Sequence, residues 1–166
     1  MGLGPVLAEQ LHYTRDWTQR LLADFGEGDW GFQPAPGLAH ALWLCGHLAV
    51  SQNVLIHQRC LGTSVVDDAF AKHFQIGGPV AGTSERPYPR VDDVRGVMEE
   101  THQKTLVAIR GMSDAALAEP AFGANGSIHP HYRDKLGAVS HCSRHEAFHA
   151  GQLAMIRRLR GKSFLR

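Results

Sequence analysis

The sequence predicts an all-α protein built as a four-helix bundle. Four long stretches repeat apolar residues at three- and four-residue spacing, strand signals are weak throughout, and the connections carry the glycines and prolines. At 166 residues, 43% hydrophobic and 20% charged, the chain suits one domain, 1–166, with a substantial core.

The first helix is expected over 3–25. Its stripe is Leu3, Leu7, Leu11, Trp17, Leu21, Leu22 and Phe25, and Gly26-Glu27-Gly28-Asp29 ends it. The connector Trp30-Gly31-Phe32-Gln33-Pro34-Ala35-Pro36-Gly37 cannot be helical throughout. The second helix is expected over 38–60, its inner face collecting His40, Trp43, Leu44, His47, Val50, Val54 and Leu55, with Gly62 as the stop. A long mixed segment, 63–90, follows, with room for a short helix near 67–74. So long a connection suggests a crossover between the second and third helices, not a tight turn.

The third helix is expected over 91–112, with Asp92 and Asp93 at the positive end of its dipole and Val94, Met98, Leu106 and Ile109 as its stripe. Ala124-Asn125-Gly126-Ser127 marks a turn in the loop that follows. The fourth helix is expected over 134–160, ended by Gly161. Arg157, Arg158 and Arg160 form a cationic cluster at its C-terminus, where cations are favoured.

A formal charge of +1 gives no basic field of the kind that nucleic acid attracts. Cys45, Cys60 and Cys142 cannot all pair, and no CxxC is present, which fits reduced thiols. The start has no signal pattern and no apolar run reaches membrane-spanning length, so the expectation is a soluble, cytoplasmic protein.

Histidine is the anomaly, at 11 residues. Chance placement would give roughly 0.7 HxxxH pairs, and the chain has two, sharing His145: His141/His145 and His145/His149. Residues four apart are neighbours on a helix face. His145 and His149 fall among Ala138, Cys142, Leu153 and Ile156, so they point into the bundle. Two imidazoles at this spacing can grip one metal ion, and His47, on the inner face of the second helix, is the best third ligand. The competing reading is three satisfied core histidines. Three imidazoles leave a fourth position for water or substrate, the pattern of a catalytic site, and they suit zinc or nickel equally.

These residues resemble a known family. Trp43-Leu44-Cys45-Gly46-His47-Leu48-Ala49, after the Pro34-Ala35-Pro36-Gly37 connector, is similar to the first-ligand helix of the DinB/YfiT-like proteins. His145-Glu146-Ala147-Phe148-His149-Ala150-Gly151-Gln152-Leu153 is similar to their last-helix signature, and Tyr88-Pro89 entering the third helix also fits. The likeness spans about residues 7–161. It implies an up-down-down-up bundle, a divalent zinc or nickel ion on His47, His145 and His149, and a homodimer. It also implies a metal-dependent enzyme that activates a low-molecular-weight thiol, as co-substrate, or water, for S-transfer to or hydrolysis of a small electrophile. The alternative is a non-catalytic, metal-stabilised bundle that binds, senses or answers stress.

Around the triad, His141, Gln152 and His40 are candidates to support the ligands, His141 also as a proton shuttle. Glu146 points about 60° away from His149 on a helical wheel and reads as a solvated or supporting carboxylate. Cys142 and Trp43 read as core, Trp43 also as a pocket wall. Thr101, Thr105, Gln10 and Thr14 are candidate pocket-lining residues, and His129-Pro130-His131 reads as surface.

Overall fold

The computed structural model describes residues 2–123, 125–130 and 132–165. It is helical, with no strand among these residues and only isolated bridges such as Gly37–Val80. The elements are α1 (Leu3–Leu22), α2 (Glu27–Trp30), α3 (Ala41–Gln52), a π-helical segment (Asn53–Gln58) running into α4 (Arg59–Leu61), α5 (Asp68–Ala71), α6 (Val91–Arg110), α7 (Asp114–Leu117) and α8 (Lys135–Leu159).

The buried face of α1 is Gly4, Ala8, Leu11, Arg15, Thr18, Leu21 and Leu22. Gly4 is needed for close approach, because a Cβ there would stand 2.5 Å from the Met112 carbonyl oxygen. Trp17, expected in the core, is 57% exposed, beside exposed Val6 and Tyr13. The inward register passes through Arg15 and Thr18 instead, and an apolar pattern alone cannot rank a buried arginine above a tryptophan.

The second predicted helix starts three residues late. His40 is extended and caps α3, its Nδ1 accepting from the Trp43 amide at 3.1 Å. All residues from Ala41 to Val50 are buried, which makes α3 the central helix. Its continuation widens into the π-helical segment, where Asn53 Oδ1 accepts the Val65 amide at 2.8 Å and anchors the start of the crossover. Gly62 ends this run at φ +67, as expected. In the crossover, Asp67 caps α5 by accepting from the Ala69 and Phe70 amides. Helix α8 is capped by Asp134, which accepts from the Gly137 amide.

Cross-links fix how the long helices meet. Arg15 of α1 reaches Glu146 of α8, and Arg157 of α8 reaches Leu21 and Asp24 at the far end of α1, so these two run in the same sense. Gln52 and His57 meet His102 and Thr105, so α3 and α6 run together. Gly4, at the start of α1, packs on the end of α6, so that pair is opposed.

Two apolar clusters fill the interior. Leu21, Ala49, Met98 and Ala150 belong to one, and Leu11, Leu55, Leu106 and Cys142 to the other. The four long helices also bring the buried polar residues Arg15, Gln52, His102 and Glu146 together, linked by hydrogen bonds from Arg15 and Gln52 to Glu146 and between Gln52 and His102. Arg157 is likewise buried. It donates to the Leu21 and Ser163 carbonyls and pairs with Asp24, so it ties the C-terminus to α1 and does more than complement a dipole.

Candidate metal centre

His145 and His149 lie one turn apart on α8, and their Nε2 atoms are 3.1 Å apart. Across the seam on α3, His47 brings its Nε2 to 3.2 Å from that of His145. The three ligand atoms all lie within 4.8 Å of one another, a group that could hold a metal ion. One turn before His47, Trp43 lies flat on its ring, with centroids 4.6 Å apart at 10°.

The outer nitrogens decide what the inner ones can do. His47 Nδ1–H donates to the Phe74 carbonyl at 3.1 Å, and His149 Nδ1–H donates to Gln152 Oε1 at 2.6 Å. A neutral imidazole carries one N–H, so both Nε2 atoms are lone pairs aimed at the common point. His145 can bring at most one proton there. The Ser51 hydroxyl adds a donor to His47 Nε2 at 3.3 Å.

Adding further protons is unfavourable. Burial, then the neighbouring His149, pushes His47 down to about 4. Burial, then His149, His47 and His141, pushes His145 down to about 3. His149 is also lowered, chiefly by burial. Two lone pairs converging with a third nitrogen that carries at most one proton fit a metal cation, and His47 and His149 have their outer nitrogens held, as ligating histidines usually do.

The other candidate residues take other places. His141 is half-buried, its ring 6.0 Å from His145 and 5.7 Å from Tyr132. His40 is outside the triad; besides capping α3, it packs edge-on against Tyr88 at 5.0 Å. Glu146 is not solvated. It is 1% exposed and forked by Arg15, with Nε–Oε1 at 2.5 Å and Nη2–Oε2 at 3.1 Å, and Gln52 donates to Oε2 at 2.9 Å. It faces α1, not water.

Cys142 is core as expected, and burial raises its thiol pKa. Thr101 and Thr105 are buried, Thr105 against His57 Nε2, so they do not line an open pocket. Gln10 and Thr14 do line one, a groove on the outer side of α1 with Val6, Tyr13, Trp17 and Ala147. His129 stacks on Tyr132 at 3.9 Å, and His131 lies outside the described residues. The sequence reading missed Phe74, Ser51 and the buried His57 and His102. Only Ser51, four residues after His47, had a signal in the spacing.

The fold and the triad together define a helical bundle with a candidate metal centre in the seam between α3 and α8. The DinB superfamily model matches residues 10–153, and the chain belongs to that superfamily. No curated protein sequence matches it. A crystal structure of a point mutant of the mycothiol-dependent maleylpyruvate isomerase is similar in fold, with a TM-score of 0.59 and 19% identity over 89% of this chain. The chain spans only 60% of that protein's length. A conserved protein from Enterococcus faecalis is similar over 96% of this chain and 97% of its own, with a TM-score of 0.62 and 14% identity. No helix among the described residues is long and apolar enough to cross a membrane.

Proposed function

We propose that this protein is a metal-dependent enzyme in which His47, His145 and His149 hold a divalent ion, zinc or nickel. The reaction is S-transfer from a low-molecular-weight thiol to a small electrophile, with hydrolysis by water as the runner-up. The observation that carries the metal reading is the convergence of three Nε2 atoms, two with their outer nitrogens already donating. The thiol preference draws on the mycothiol dependence named for the isomerase of similar fold.

When bound, the ion supplies Lewis acidity and favours the ionised form of a thiol or water beside it. The protein's own groups do the positioning. The Phe74 carbonyl and the Gln152 amide hold two rings in the ligating tautomer, and Trp43 covers one face of His47. His141, the nearest further imidazole to His145, is the candidate to carry a proton to or from the substrate. The same reading takes 1–166 as one domain, working in the cytoplasm as a homodimer.

A second reading, a non-catalytic metal-stabilised bundle, has its own support: the triad joins α3 to α8, so metal binding energy would be folding energy. Zinc- and nickel-loaded protein should therefore be assayed for loss of small electrophiles with and without added thiols. Thiol-dependent turnover that disappears in a folded His149→Ala variant supports the enzyme. No turnover with any thiol or with water, together with a large thermal stabilisation by the metal, supports the second reading.

A further inference from the structure

We infer that Gly46 and Phe74 form a positioning device for His47, coupling the crossover between α4 and α6 to the metal centre; this rests on the metal reading above. Phe74 makes two contacts with adjacent residues of α3. Its ring lies on the bare backbone at position 46, where an added Cβ would stand 2.4 Å from two ring atoms and 2.5 Å from a third. Its carbonyl oxygen accepts from His47 Nδ1 at 3.1 Å.

The ring has nowhere to go. Phe74 is fully buried, flanked by Phe70 at 4.9 Å and Tyr88 at 5.9 Å. Its amide is tied to the Ala71 carbonyl at 3.0 Å, so the main chain that carries the carbonyl is held by the turn after α5. Glycine is a poor helix former, and its presence inside a fully buried helix calls for a close approach of this kind. The missing side chain at 46 therefore sets the height of Phe74 above α3. That height sets whether its carbonyl reaches His47 Nδ1, which fixes the tautomer and ring orientation that the ligand needs.

Coupling between sites is reciprocal. If docking of Phe74 prepares His47 for the ion, the ion must in turn favour docking of the crossover. Gly46 and Phe74 are positioning residues and touch neither metal nor substrate.

The test uses the full chain, with zinc titrated against a competing chelator and amide hydrogen exchange followed over residues 67–80. In wild type, zinc should slow exchange across 67–80 and leave α7 unchanged. Gly46→Ala should weaken zinc binding about tenfold or more, the usual range for loss of a ligand's hydrogen-bond partner. Adding Phe74→Leu to Gly46→Ala, which removes ring atoms from the clash, should restore most of that loss. Zinc affinity in Gly46→Ala equal to wild type, or exchange over 67–80 unmoved by zinc, overturns the inference while the metal reading stands. Wild type that binds no zinc overturns both. Should Gly46→Ala fail to fold, the wild-type exchange decides alone.

Discussion

Glu146 and the pair His145/His149 share one stretch of α8, yet the buried clusters they enter differ in electrical balance. Glu146 faces α1 and is closed: a guanidinium forks the carboxylate, Gln52 donates to it, and Arg15 also reaches the Met98 carbonyl. The triad faces α3 and is open, with three acceptors converging on at most one imidazole proton and one hydroxyl. Both are largely removed from water. A closed cluster holds helices in register, whereas an open one awaits a cation. Burial of polar groups is common to both, so burial does not mark the candidate site; the surplus of acceptors over donors does.

The largest effect should come from breaking the closed cluster. Glu146→Ala leaves Arg15 charged and unpaired in the interior, and urea denaturation should show a loss of about 3–5 kcal/mol. Replacing both partners, as Arg15→Met with Glu146→Leu, should recover most of it. Equal stability of Glu146→Ala and wild type would mean that Arg15 finds water.

Acid should also act on the buried imidazoles. His102 is held down to about 3 by burial, then by Arg15 and His12, while an unfolded histidine titrates near 6.5. Between those values the unfolded chain takes up the proton and the folded one does not. Stability is therefore full above pH 6.5 and falls as pH drops towards 3, by about 1.4 kcal/mol per pH unit for such a group. Denaturation midpoints across pH 4–8 check this, and a flat profile would contradict it.

A smaller effect is expected at the edge of the open cluster. Gln152→Ala removes the acceptor for His149 Nδ1 and should lower zinc affinity about tenfold, or about 1.4 kcal/mol, with little change in the metal-free protein. Smallest of all, Trp17→Ser should change stability by no more than about 0.5 kcal/mol, because the ring is mostly in solvent. A larger loss in dilute monomer would restore Trp17 to the core.

The contrast also explains what was legible in the sequence. Helix periodicity located all four long helices, because each buries an apolar stripe. The triad was legible because His145 and His149 repeat at four and His47 sits among apolar neighbours. The closed cluster was not, since Arg15 and Glu146 each look like surface charges until a partner 131 positions away is known. His40 is buried, as its place on the inner face implied, but its capping of α3 was not legible because it depends on the extended backbone before Ala41, which spacing does not record. Arg157 was read as a dipole partner because its contacts with Leu21 and Asp24 exist only once α1 lies beside α8.

The central claim is that the three Nε2 atoms form a cation site. The most direct measurement is elemental analysis of wild type and His149→Ala after equilibration with zinc at neutral pH and removal of free metal. The account predicts about one ion per chain in wild type and almost none in a folded His149→Ala. Wild type that retains no zinc, or a variant that retains as much as wild type, would contradict it.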